Sequence, residues 1–169
     1  MSTRATLEHL CSCFDTMYVV LGEGAPTLTN DAYVVRTYEA ARAFGGVALT
    51  FREYLGDVTT DPFAPLGDTL RRALASDDTG AMALFALATV VGPRVLVSLR
   101  DARDQVEFDD AALEVMNVAS EVLVQEILRV GEVAKSQAPI EDAGWQESAR
   151  ELSSRLDAGG NAESFGISR

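Results

Sequence analysis

The sequence predicts a mainly α fold, a single-domain bundle of about five or six helices. Apolar residues recur at three- and four-residue spacing through most of the chain, and capping residues or Gly/Pro stops separate these stretches. The chain has 169 residues, 47% hydrophobic and 24% charged, so it can bury a core without disulfide or metal staples. The bundle is expected over residues 1–158, followed by a C-terminal tail over 159–169.

The first helix is expected over residues 6–21, where Leu7, Leu10, Cys11, Phe14, Met17, Tyr18 and Leu21 share a face; Gly22 and Pro26 end it. Asn30 or Asp31 then offers an N-cap for a helix over 31–55. Its apolar sector holds Tyr33, Thr37, Ala40, Ala41, Phe44, Ala48, Phe51 and Leu55, with Arg42 and Glu53 on the opposite side. Gly45 and Gly46 each cost about 1 kcal/mol relative to alanine in that helix, so a neighbouring backbone should approach closely there. The rival is a β-hairpin of Tyr33–Arg42 and Val47–Glu53. With a strand at 94–99, it would make the fold α+β.

After the turn-rich interval Gly56–Pro65, Pro65 suits the first turn of a short helix over Leu66–Ala75. Asp78 or Thr79 is a candidate cap for a helix over Gly80–Val91, which Gly92 and Pro93 end or kink. Residues 94–106 can continue as helix, although Arg94–Leu99 also reads as a buried strand. Asp109 is expected to cap the longest helix, which runs to about Lys135 with Leu113, Met116, Ala119, Leu123, Ile127, Val130 and Ala134 inward. After Pro139, a last helix over 141–157 turns Trp145, Ala149, Leu152 and Leu156 inward and stops before Gly159 and Gly160.

Charge narrows the range of functions. With 14 basic and 26 acidic residues the net charge is −12, and its field opposes nucleic acid and anionic membranes as partners. Residues 101–169 carry 15 acids and 6 bases, which makes that half the face for a basic protein partner. The most apolar stretch, Ala81–Leu99, contains Arg94 and reads as a buried core segment, not a membrane helix. No secretory pattern follows Met1–Thr6, so a cytoplasmic location is expected.

The chain has one histidine, which makes a Ser-His-Asp triad, a multi-histidine zinc site or a ferritin-like diiron centre hard to assemble, and glycine-rich nucleotide-binding motifs are absent. No cofactor is expected. In His9-Leu10-Cys11-Ser12-Cys13, only His9 and Cys13 share a helical face, and two ligands complete a metal site only if two chains converge. Tyr18, Tyr33, Tyr38 and Tyr54 are candidates to line a pocket for a small apolar or aromatic ligand.

On the long helix, Asp110, Glu114 and Asn117 followed by Pro139 resemble the acid, Glu-x-x-Asn and downstream proline pattern of the CheC/CheX/FliY phosphatases. That resemblance implies a response-regulator phosphatase in which Glu114 and Asn117 reach into a phosphorylated partner, the Asn amide orienting an attacking water. It requires a β-sheet behind the helix. The leading expectation remains a non-enzymatic, acidic helical protein that acts through protein–protein interaction in an adaptor, regulatory or assembly role. The small residues Ala40, Ala41, Ala43, Gly45, Gly46 and Ala48 also fit a homodimer. The ligand sensor and the phosphatase are the alternatives.

Overall fold

The computed structural model describes residues 2–56, 58–137 and 143–159. They form six helices: α1 Thr3–Gly24, α2 Asp31–Leu55, α3 Ala64–Ser76, α4 Ala81–Gln105, α5 Asp110–Gln137 and α6 Ala143–Gly159. No strand occurs among the described residues. The mainly α bundle is therefore the fold, and the α+β alternative falls at both of its segments. Residues 33–53 lie inside α2, and 94–99 lie inside α4. The expectations for Pro139 and the tail beyond Gly159 lie outside the described residues, as does the side chain of Trp145.

The helix starts follow local hydrogen-bond chemistry. Ser2 Oγ accepts from the Ala5 amide at 3.2 Å and Asn30 Oδ1 from the Tyr33 amide at 3.2 Å. Asp109 Oδ1 accepts from the Ala112 amide at 2.7 Å, so Asp109 caps α5 as its position predicts. At α4 the start is organised by Asp77 instead of Asp78. Its carboxylate accepts from the Thr79 and Met82 amides, while Gly80 turns the chain with φ +95°.

The irregular stretch at Gly92 and Pro93 has a specific resolution. Proline lacks an N–H and its ring crowds the carbonyl four residues back, which would break an ordinary helix. Here Leu87–Val91 widens into a π-helical turn, with the Gly92 amide bonding Leu87 O, and the helix carries on to Gln105. The helix runs on through the proline with Val91 and Val95 still buried. By length and composition α4 could cross a membrane, but 61% of its apolar window is buried inside the fold.

Helices α1 and α2 form an antiparallel pair, shown by contacts that run in opposite order: Arg4 with Leu55, Cys11 with Ala48 and Tyr18 with Gly45. Phe14 stacks on Phe51 with ring centroids 6.0 Å apart and tilts against Phe44 at 6.1 Å. Helix α5 covers the other flank of α2 and also packs on α4. One core joins α1, α2, α3, α4 and α5, and a smaller cluster puts Leu152 and Leu156 of α6 against Met82, Ala83 and Val90. Arg94 leaves the core edge to pair with Asp157 at 2.6 Å.

Candidate functional site

Helix α2 buries one face and exposes the other. Tyr33, Thr37, Ala40, Ala41, Phe44, Val47, Ala48, Phe51 and Leu55 are buried, as the helical period predicts. The outward stripe is Val35, Tyr38, Glu39, Arg42, Gly46, Leu49 and Glu53, all exposed. Three of these are large and apolar: Val35 is 57% exposed, Leu49 55% and Tyr38 45%. A purely solvated face would carry polar residues at these positions.

Grooves flank this stripe on both sides. Between α1 and α2, Tyr18, Val19, Gly22, Tyr38 and Leu49 line a groove of about 890 Å³, with Arg42 and Arg52 at its rim. Between α2 and α5, Val47, Val118, Val122 and Gln125 line one of about 630 Å³. Arg42 and Gly46 border both grooves. Both are open to solvent.

The two adjacent glycines do different things. A Cβ on Gly45 would come within 2.8 Å of the Tyr18 ring, so what approaches Gly45 is a side chain of α1 and not the backbone expected from the sequence. A Cβ on Gly46 would meet nothing within 4 Å. No contact among the described residues accounts for a glycine there.

Electrostatics frame the second groove. Glu126, buried on α5, accepts an ion pair from Arg36 of α2 and a second from Arg129 at 3.1 Å. Arg36 also pairs with Glu39 at 2.5 Å. This network was not legible in the sequence, because Glu126 sits between the apolar and polar sectors of its helix. Arg42 and Glu53 make no ion pair among the described residues.

The four tyrosines do not converge. Tyr18 and Tyr38 line the first groove, but Tyr33 is buried with its hydroxyl pKa raised by burial and by Asp77. Tyr54 donates to Asp109 Oδ2 at 3.0 Å near the α5 start, and that bond raises its pKa. Only half of the sequence-predicted pocket shares one groove.

Cys13 Sγ lies 3.9 Å from His9 Nε2, so the helical pairing of these residues is present. Cys13 is fully buried and its thiol is pushed up to about 12 by burial; the buried Cys11 reaches about 11 for the same first reason. His9 packs edge-on to Phe63 at 5.0 Å, and burial lowers its pKa. A metal shared between chains would need Cys13 at the surface. Among the described residues no three His, Cys, Asp or Glu side chains gather to hold a metal ion.

Glu114 and Asn117 both project from the exposed face of α5. Behind them lie the buried Ala112, Val115, Met116 and Ala119 and other helices, not the sheet that the phosphatase resemblance requires. Compared with protein-family models, with curated proteins and with solved structures, the chain matches none.

Proposed function

We propose that this protein works by protein–protein interaction, in an adaptor, regulatory or assembly role, and that the outer stripe of α2 with the α1–α2 groove is its contact surface. The observation that carries this reading is the run of exposed apolar side chains, Val35, Tyr38 and Leu49 with Tyr18 and Val19 beside them. A monomer gains nothing by wetting such side chains together, whereas a partner that covers them gains the hydrophobic term. Arg42, Glu39 and Glu53 around them give the mixed polar rim typical of an interface.

The exposed acids Glu107, Asp109, Asp110, Glu114 and Glu121 bias long-range encounter toward basic partners. The test is cross-linking of the tagged protein in its own cells, comparing wild type with Leu49→Arg. Leu49 is more than half exposed, so circular dichroism should show unchanged helicity while the cross-linked partners fall away. An undiminished set of partners would defeat the reading.

A further inference from the structure

Four residues at the centre of the α2 stripe, Arg42, Gly46, Leu49 and Glu53, follow one another at spacings of four, three and four residues. All four are exposed, and at about 100° per residue they fall within roughly 60° of one another around the helix. The spacing reads the same in both directions. Two copies of α2 laid antiparallel therefore bring Leu49 opposite Gly46 and Arg42 opposite Glu53, twice each.

We propose that the outer face of α2 pairs in this way with a second copy of the same chain, each Leu49 seated over the other copy's Gly46 and flanked by the two Arg42–Glu53 ion pairs. The proposal rests on the protein-interaction reading above and names its partner. Three features of the face that contacts among the described residues leave unexplained are used. Gly46 lies inside a 25-residue helix with open space where its Cβ would be, and glycine is disfavoured there unless something must come close. Leu49, 55% exposed, supplies the side chain that fills such a gap. Arg42 and Glu53 have no partners among the described residues and become complementary only in the antiparallel pair. An isologous contact of this kind closes on itself as a dimer.

The two long charges also offset a general obstacle. Two chains of net charge −12 repel, yet the four central residues carry one positive and one negative side chain, so the contact itself is neutral.

Sedimentation velocity over a concentration series should show a monomer–dimer equilibrium for the wild type. Arg42→Glu and Glu53→Arg should each weaken the dimer about tenfold or more by opposing like charges, and the double variant should recover most of the loss. Gly46→Leu fills the seat and should abolish the dimer while leaving helicity and dilute-solution stability at least at the wild-type level. A wild type that stays monomeric at every concentration, or a double variant no better than the singles, overturns the pairing. If the wild type is monomeric but Leu49→Arg still loses its cross-linked partners, self-pairing falls and the interaction reading stands. If Leu49→Arg changes neither property, both fall.

Discussion

Arg36 of α2 and Glu126 of α5 form an ion pair across the helix interface, with side chains only 12% and 4% exposed. A charge so placed is tolerated because it is paired on more than one side, by Arg36 and by Arg129. Removing one partner strands the other. Glu126→Ala is expected to cost roughly 2–4 kcal/mol in urea denaturation. Replacing both by apolar residues, Arg36→Met with Glu126→Leu, should recover most of that loss. Equal losses for single and double variants would mean that packing volume, not the stranded charge, sets the cost.

Gly45 and Gly46 provide a paired test of local geometry. Gly46→Ala adds a methyl into open space and should raise the stability of dilute protein by about 1 kcal/mol through helix propensity. Gly45→Ala drives a methyl to 2.8 Å from the Tyr18 ring, so the propensity gain is lost to displacement of that ring and α1. Thermal unfolding of the two variants should place Gly46→Ala above wild type and Gly45→Ala at or below it.

Gly92 is held more tightly than either. A Cβ there would lie 2.7 Å from the Leu87 carbonyl oxygen and 2.6 Å from Ile127, so both the π-helical turn and the seat of α5 on α4 depend on its absence. Gly92→Ala should destabilise by about 1–3 kcal/mol, despite alanine's better helix propensity. Unchanged stability would show that α4 can shift away from α5 at that turn.

The buried cysteines and histidine set limits of pH. Burial raises the folded thiols from 9.0 to about 11 for Cys11 and about 12 for Cys13, so the unfolded chain loses these protons first. Their contribution to stability is complete below pH 9 and falls as pH rises toward 11 to 12. At neutral pH neither thiol should react with an aromatic disulfide reagent in the folded state, and both should react once the protein is unfolded. His9 acts on the other side: with its folded pKa lowered from 6.5, the unfolded chain takes up its proton more readily. Stability should therefore decline as pH falls below 6.5, and His9→Gln should flatten that part of the pH profile.

Much of the fold was legible because the α2 and α5 periods are regular enough for one sector of each to be apolar. Capping by Asn30 and Asp109 was legible for a local reason, since each cap involves an amide only three residues away. The hairpin rival for 33–53 arose from the β-branched and aromatic residues at its start. Burial of Phe44, Val47, Ala48 and Phe51 on a single helical face outweighs that preference. The candidate surface was half legible. Arg42 and Glu53 were placed opposite the core and Tyr38 was singled out as a pocket residue, but Val35 and Leu49 beside them were masked by the stronger apolar sector.

By itself, then, the sequence determined the helices, the stops between most of them, the inward face of α2 and most of that of α5, and the net charge, because these depend on neighbours within about one helical turn. Only the tertiary structure decided that Glu126 would be buried against Arg36, that Pro93 would be absorbed in a widened turn, that Tyr33 and Tyr54 would part from Tyr18 and Tyr38, and that Gly46 would face open space. Each of these is set by which helix lies alongside which, through contacts between residues dozens of positions apart, and no local period encodes that choice.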